Sequence, residues 1–363
     1  MRAPDAEAIA LRTTAIATRP SHIQAVRFSG PGALDLLDVL VTSRLFIREN
    51  QMLHTLLLDE AARPWADAYL CQDEDSVIVL AEGPSVAELC AHAERVRAER
   101  TPSAEVEITV LTGEQSLIGV DGPYAWEAVS AVLGPEILGA PYLSFLKLAD
   151  TICFRAGKTG EYGYLLLAGN ARTAEVWKRL LDLGASQGLV EGSLTTLDYA
   201  ALENWHFSMR ALSEVDVARS LTPLELQLQW RVDYEKDFVG AEAMRARRRA
   251  PLGRVTCFIS VADSAADSVL EVLPGQRLHF DGREAGTVLW TGWSPVRAQW
   301  VGWALIELGL AWPKIRFGVR PDGGATVETR SPPLLNNRSL HVDPHRHSYQ
   351  TRANDDFPPL VIS

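Results

Sequence analysis

A glycine-rich stretch, FRAGKTGEYGYLLL at residues 154–167, constrains the fold more than any other part of the sequence. Its three glycines, Gly157, Gly160 and Gly163, are spaced three residues apart and precede an apolar segment with strand character. Because glycine tolerates tight turns and close approach of the backbone, this spacing predicts a compact turn that leads into a strand. Glu161 lies inside the turn, and we expect it to stabilise the turn more than to bind a ligand.

The composition limits the class of protein to which the chain can belong. With 363 residues, 47% of them hydrophobic, the chain can form two or three domains with substantial cores. A formal net charge of −11 argues against binding nucleic acid, which needs a basic surface. The sequence contains no run of about 18 apolar residues, so we expect no membrane span. Residues 1–20 lack the apolar core of a secretory signal, so we expect none there.

The cysteines and histidines point to no metal site. The four cysteines are far apart and form no CxxC pair, which predicts reduced thiols and a cytoplasmic location. The segment HVDPHRH at residues 341–347 contains ligand-type side chains, but its spacing matches no standard metal site. We therefore expect a polar surface tail that can be removed without loss of stability.

Strand and helix patterns alternate in the first part of the chain. The patterns predict three short strands at Leu53–Leu58, Ala66–Cys71 and Ser76–Leu80. A helix at Ser85–Arg97 and a strand at Val106–Leu111 follow. This order is typical of an antiparallel sheet covered by helices, which is an α+β layer.

The later part of the chain changes character at a basic run. Before this run, ARTAEVWKRLLDLG predicts a helix that ends at a capping Gly184. After the basic run, Arg245–Gly253, short strand patterns rich in tryptophan predict a small all-β domain.

Five segments, in the same order along the chain, resemble motifs of the folate-dependent aminomethyltransferases, the glycine-cleavage T-proteins. RAGKTGEYGY at 155–164 resembles R-x-G-Y-T-G-E-x-G-[FY]-E, and SHIQAVRFSGPGA at 21–33 resembles S-H-M-x6-G-P-x-A. The other segments are HTLLLDEAARPWAD at 54–67, EKDFVGAEAM at 235–244 and LPGQRLHFDGREAGTVLWTGWSP at 273–295. The chain is thus identified as a divergent member of this family over residues 12–319.

The resemblance implies a fold and a set of domain boundaries. The fold would be α+β, with three domains arranged as a ring around one central pocket and a small C-terminal β-barrel. The implied domains are a discontinuous first domain at 1–27 and 113–250, a second α+β domain at 28–112, a barrel at 251–340 and a C-terminal extension at 341–363.

The resemblance also implies a catalytic residue, Asp67, which aligns with the aspartate that faces the reactive nitrogens of tetrahydrofolate in the family. In PWADAYL, Asp67 is a lone carboxylate in an apolar strand. Such a group is paired, bound to a ligand, or raised in pKa by desolvation, as a proton-handling carboxylate requires. The residues alone also allow the alternative that Asp67 faces outwards while Ala66, Ala68 and Leu70 face the core.

By the same resemblance, the expected cofactor is tetrahydrofolate or a one-carbon derivative. The cofactor-binding positions carried over are Ile23, His54, Tyr69, Glu82, Lys158, Tyr164 and Glu203. The family's pteridine-binding glutamate is Leu165 here, and an arginine of the family is Ala201. Each lost hydrogen bond costs about 1–3 kcal/mol, so we expect weaker folate binding unless new polar groups compensate. His54, Lys158 and Glu82 are the candidates, and the alternative is that they are solvated rim residues.

Three functions agree with the sequence. The first is a divergent folate-dependent transferase that moves a methyl, methylene or aminomethyl group to or from a small molecule of specialised metabolism. The second is an enzyme that keeps the ring fold, no longer uses folate and acts on another small molecule. The third is a non-enzymatic folate-binding accessory protein. This third branch has a cysteine in K-G-C-Y-x-G-Q-E, whereas the chain has EKDFVGAE at 235–242.

Overall fold

The computed structural model describes residues 5–212, 215–261, 271–321 and 326–362, which form three β-sheets and their covering helices. In chain order, the strands are β1 (Ala15–Thr18), β2 (Ile23–Ser29), β3 (Met52–Leu58), β4 (Pro64–Asp73), β5 (Ser76–Glu82), β6 (Glu107–Val110), β7 (Gln115–Asp121), β8 (Phe145–Leu148), β9 (Thr151–Phe154), β10 (Gly163–Gly169), β11 (Leu189–Glu191), β12 (Arg254–Val261), β13 (Arg277–Phe280), β14 (Arg283–Ser294), β15 (Gln299–Ile306), β16 (Arg316–Gly318) and β17 (Thr326–Arg330). The helices are α1 (Asp5–Thr13), α2 (Ala33–Leu40), α3 (Val86–Arg100), α4 (Ala125–Leu133), α5 (Asn170–Gln187), α6 (Leu194–Asn204), α7 (Met209–Leu212) and α8 (Ala241–Arg247). None of these helices combines the length and apolar character needed to cross a bilayer.

The first sheet has the strand order β11-β1-β7-β10-β9-β8, and α4 and α5 pack on it. The predicted end of the second of these helices at Gly184 is wrong. The helix α5 continues to Gln187, and Gly188 caps it with a positive φ of 67°. Gly184 is required for another reason, because a β-carbon there would clash with the carbonyl oxygen of Leu189.

The second sheet has the order β3-β4-β5-β2-β6 and is antiparallel throughout. The predicted strands and helix of this region agree with β3, β4, β5, α3 and β6 to within a few residues. The predicted domain boundary at residue 27 falls inside β2. All of β2 pairs with β5, so the chain has already entered the second sheet at Ile23.

The third sheet is the closed barrel β12-β15-β14-β13-β16-β17, as the all-β pattern and the resemblance predicted. One apolar cluster joins it to the rest of the protein and includes Leu56 of β3, Leu202 of α6 and Trp303 of β15. The Trp303 indole N–H donates to the Leu202 carbonyl at 3.1 Å. A second cluster, which includes Tyr69 and Leu167, joins the second sheet to the first. The predicted α+β architecture of three domains with a C-terminal barrel is confirmed.

The C-terminal segment after residue 340 packs on the first domain, contrary to the expected removable tail. Val342 is buried in the core of the first domain, and Tyr349 and Phe357 pack against that core. The Tyr124 hydroxyl donates to Asp355 at 2.9 Å. The polar composition concealed this docking, because the few apolar side chains are spread over some fifteen positions.

We predict that truncation after Leu340 lowers the free energy of unfolding by about 3 kcal/mol or more, since several buried apolar side chains are lost. Chemical denaturation monitored by circular dichroism measures this change. His345→Ala is the control, because His345 is exposed and its loss should change stability by less than about 0.5 kcal/mol. Equal stability of the truncated and full chains would contradict the packing role.

Candidate functional site

Asp67 lies on a strand that is buried on both faces. Ala66, Ala68 and Leu70 point to the helix-covered side of the second sheet, whereas Tyr69 points to the first sheet. Asp67 shares the face of Tyr69, because side chains alternate along a strand. The Asp67 side chain is only 2% exposed, so the outward-facing alternative is wrong.

The carboxylate of Asp67 is surrounded by three nitrogen groups. Its Oδ1 lies 2.8 Å from His54 Nε2 and 2.9 Å from Arg231 Nη1, and its Oδ2 lies 2.5 Å from Lys158 Nζ. Lys158 also pairs with Glu82, which lies directly opposite Asp67 on β5. We call these five residues the Asp67 cluster. Two carboxylates at neighbouring strand positions repel one another, and Lys158 bridges them.

The pKa values of the cluster are set by these contacts. Burial alone would raise the pKa of Asp67, but His54, Lys158 and Arg231 hold it well below its usual range. Burial would lower the pKa of Lys158, but Asp67 and Glu82 raise it above its usual value. Burial lowers the pKa of His54, whose Nε2 lies 2.8 Å from Asp67 Oδ1 and 3.2 Å from Arg231 Nη1. Asp67 and Lys158 are therefore both charged at neutral pH.

The second carboxylate of the cluster is also fully occupied. One Glu82 oxygen pairs with Lys158, and the other accepts from the Ser208 hydroxyl at 3.0 Å and from the backbone N–H of Met209 at 2.9 Å. These contacts connect the second sheet to the chain just before α7. Each carboxylate oxygen of the cluster thus lies within 3.0 Å of a cation, a hydroxyl group or a backbone N–H, and Asp67 Oδ2 meets Lys158 as an ion pair without hydrogen-bond geometry.

An inner cavity of about 60 Å³ lies beside the cluster. Its lining includes Ile23, Tyr69, Glu82 and Lys158 from the predicted cofactor-binding positions. Within the described residues, Asp67 and His54 do not line it themselves. Asp67 contacts Lys158, and His54 stacks on Tyr69 with ring centroids 4.3 Å apart. Of the Asp67 cluster, Lys158 and Glu82 therefore line the cavity, and Asp67 lies behind Lys158.

A second aspartate, Asp121 at the end of β7, lines the same cavity. It is 5% exposed, and its Oδ1 accepts from the Thr159 hydroxyl at 3.0 Å. Burial raises the pKa of Asp121 to about 7. A β-carbon at Gly157 or Gly163 would lie 2.8 or 2.9 Å from this oxygen. Two of the three glycines in the glycine-rich turn therefore leave room for the Asp121 carboxyl group.

An outer cleft of about 450 Å³ adjoins the inner cavity. The two share Pro20 and Ile23 as wall residues. Arg19 lines the cleft, with its guanidinium 4.3 Å from the centre of the Trp177 ring. The cleft therefore offers an exposed cation beside an aromatic face.

Two predicted cofactor-binding residues lie away from the cavity and have packing roles instead. Tyr164 is buried in the core of the first domain, because it points to the opposite face of β10 from Leu165. Glu203 is fully buried and accepts from Arg12 at 3.0 Å and from Ser294 of the barrel at 2.8 Å. The helical position of Glu203 gave no sign of this interdomain contact.

Arg231 and Asp121 were missed by the sequence reasoning. Arg231 lies in a single 3-10 turn, 164 positions after Asp67 in the sequence, so no local pattern connects the two. Asp121 did have a signal, since it is a charged residue between an apolar strand and Gly122-Pro123. Among the described residues, no group of three or more His, Cys, Asp or Glu side chains is placed to hold a metal ion.

We predict that Asp67→Asn lowers the free energy of unfolding by about 3–5 kcal/mol, because it leaves buried cations with a neutral partner. Adding Lys158→Met should recover part of this loss, with a coupling energy of about 1–3 kcal/mol. Denaturant titration of the four variants of this cycle measures the coupling. Glu99→Gln, at an exposed ion pair with Arg95, is the control and should cost less than about 1 kcal/mol. Additive effects of the two buried substitutions would contradict the bridging role.

We predict that Asp121→Asn becomes more stable than the wild type as the pH rises. Because the pKa of Asp121 is raised to about 7 in the folded protein, its contribution to the free energy of unfolding is fully present below about pH 4. This contribution is lost as the pH rises through about 7. Asparagine stays neutral and can still accept from Thr159, so its advantage should grow by about 2–4 kcal/mol between pH 4 and pH 8. Thermal denaturation at several pH values measures this trend, and a pH-independent difference would contradict it.

Comparison with known proteins agrees with this architecture. The sequence profile of the GCVT N-terminal domain matches residues 2–236. An aminomethyltransferase of Parafrankia sp. is 30% identical over 295 residues, which cover 79% of this chain and 76% of the relative. One of Thermosipho melanesiensis is 25% identical over 311 residues, covering 84% and 81%.

The fold agrees with a solved structure as well. The glycine cleavage system aminomethyltransferase T from Bartonella henselae superposes with a TM-score of 0.75 at 19% identity, covering 91% of this chain and 89% of that one. The motifs, the domain profile and the fold lead to one conclusion: this chain belongs to the aminomethyltransferase (GCVT) family.

Proposed function

We propose that this chain is a folate-dependent one-carbon transferase that moves a methyl, methylene or aminomethyl group between tetrahydrofolate and a small molecule. The observation that carries the proposal is the Asp67 cluster beside the inner cavity. It combines the aspartate expected from the family with a charged lysine that faces ligand space. Membership of the aminomethyltransferase family supports the class of reaction.

The two cavities fit the chemistry of tetrahydrofolate. The inner cavity combines apolar walls such as Leu165 and Ala201 with the carboxyl group of Asp121, which suits a planar ring with N–H donors. The outer cleft provides Arg19 for the carboxylates of the glutamyl part. Together their volumes come within the usual range for ligand pockets, about 300–1,000 Å³.

The inner cavity alone has room for only a few water molecules. A fused two-ring system therefore needs a side-chain movement to enter. We expect Leu165 to change rotamer on binding, because it lines the cavity and its apolar side chain is held by no hydrogen bond or ion pair.

The residues of the chain have distinct roles in this proposal. Tetrahydrofolate, when bound, would supply or accept the one-carbon unit. Lys158 orients an electron-rich group of the ligand, while Asp67 and Glu82 hold its ammonium group in place. Asp67 is then a positioning residue in this arrangement. Because its pKa is held low, we expect Asp67 to stabilise positive charge, and not to exchange a proton at neutral pH as the sequence reasoning expected. Proximity of the two reactants in one closed site would supply much of the rate.

An enzyme of the same fold that no longer uses folate is the second candidate. The observation that favours it is that every carboxylate oxygen of Asp67 and Glu82 already lies within 3.0 Å of a cation, a hydroxyl group or a backbone N–H of the protein. Leu165 also offers no hydrogen bond at the position where the resemblance expects a glutamate. A small molecule with a carboxylate or phosphate group would then bind to Lys158.

Calorimetric titration with tetrahydrofolate and 5-formyl-tetrahydrofolate distinguishes the two candidates. We predict binding with a dissociation constant above about 1 μM, which corresponds to less than about 8 kcal/mol, because polar contacts have been lost. Binding of neither compound at millimolar concentration would contradict folate dependence and favour the second candidate.

A pair of matched lysine variants tests the role of Lys158 in the same titration. Lys158→Met should weaken binding about tenfold, or about 1.4 kcal/mol. Lys147→Met is the control, because Lys147 also bridges two carboxylates, Asp73 and Glu74, but lies outside both cavities. Equal effects of the two substitutions would show that Lys158 acts only through stability.

A further inference from the structure

A group of polar atoms in the inner cavity takes no part in the Asp67 cluster. Thr18 of β1 pairs directly with Gly119 of β7, and Leu165 of β10 pairs with Gly119 from the other side. Asp121 is two residues beyond Gly119 on β7, so its side chain is on the same face. All four residues line the inner cavity.

Gly119 lets the Thr18 hydroxyl pack directly against the backbone of β7. A β-carbon at this position would lie 2.5 Å from Thr18 Oγ1, 3.7 Å from Asp121 Oδ2 and 3.8 Å from Leu165 Cδ2. Two oxygen atoms and one methyl group therefore converge on the space where any other residue would place a side chain. Such a close approach is a common reason for glycine inside a strand.

The two oxygen atoms lack protein partners. Thr18 is fully buried, and its Oγ1 has no hydrogen-bond partner among the described residues. Asp121 uses Oδ1 to accept from Thr159, and no described residue donates to its Oδ2. Buried polar groups in native proteins normally have partners, so an unpartnered hydroxyl that lines a cavity points to a ligand.

The charge around Asp121 differs from that around Asp67. No ion pair reaches Asp121 within the described residues. Burial dominates its pKa, the more distant Arg155 and Arg12 lower it, and Glu161 raises it. Asp121 therefore has an affinity for a donor or a positive charge that the protein itself does not satisfy.

We propose that Asp121 and Thr18 form a subsite that binds the N–H edge of a 2-amino-4-oxopyrimidine ring. Asp121 Oδ2 accepts from the ligand, and Thr18 Oγ1 makes a second hydrogen bond beside it. Leu165 then forms an apolar wall next to the ring. The identity of the ring as part of a folate rests on the proposed function, whereas the N–H edge is inferred from the subsite itself.

Calorimetric titration of three variants with tetrahydrofolate tests the subsite. Asp121→Asn should weaken binding tenfold or more, and Thr18→Val should weaken it several-fold because only the hydroxyl is lost. Gly119→Ala should weaken binding at least as much as Asp121→Asn, because the added methyl would displace the Thr18 hydroxyl beside Asp121. Gly139→Ala is the matched control, since a β-carbon at Gly139 meets no atom within 4 Å. It should bind like the wild type.

Proton exchange gives a readout that a purely structural role would not change. At pH 6 Asp121 is mostly protonated, and binding of an N–H donor should release most of one proton. Titration in two buffers with different ionisation enthalpies counts this proton. The release should persist in Thr18→Val and disappear in Asp121→Asn. Unchanged affinity and unchanged proton release in Asp121→Asn would overturn the subsite.

A ring fragment separates failure of the subsite from failure of the proposed function. If the wild type does not bind tetrahydrofolate, the same titrations use 2-amino-4-hydroxypyrimidine, which carries the N–H edge alone. Binding of the fragment that is lost in Asp121→Asn supports the subsite without folate. Failure of the wild type to bind the fragment as well would overturn both proposals.

Discussion

The ammonium group of Lys158, held between the carboxylates of Asp67 and Glu82, is the interaction on which the site depends. Two carboxylates opposite one another in a buried sheet are unstable without a cation between them. That cation comes from the glycine-rich turn of the first domain, so the two sheets must stay in register for the charges to balance. A complete cluster tolerates burial, whereas loss of one member leaves a buried charge without its partner.

The glycine-rich turn carries Lys158 and also makes room for a second carboxyl group. Gly157 and Gly163 lie against Asp121, and Gly160 has a positive φ of 79° beside Asn204. The turn needs glycine for close approach at two positions and for backbone conformation at the third. Glu161 accepts from Arg12 and Ser339 and so ties the turn to other parts of the chain, as its expected structural role requires.

Two buried aspartates near the inner cavity, Asp67 behind Lys158 and Asp121 in the cavity wall, therefore have opposite properties. Asp67 is buried among cations and stays ionised, whereas Asp121 is buried without a cation and titrates near neutral pH. Two aspartates whose surroundings move their pKa values apart can divide two tasks, since one holds charge and the other exchanges a proton. In this chain the fixed charge of Asp67 positions Lys158, whereas Asp121 has no ion-pair partner among the described residues.

Local sequence patterns determined much of the fold. Alternation of apolar residues predicted β3, β4 and β5, and the run of short strands after Gly253 predicted the barrel, because both signals depend on neighbours along the chain. The motifs identified the family and the positions of Asp67, Lys158 and Glu82. Only the tertiary structure decided the end of α5, the docking of the C-terminal segment, the place of Arg231 and the exclusion of Tyr164 and Glu203 from the cavity. These features depend on contacts between residues far apart in sequence, which no local period of two or 3.6 residues encodes.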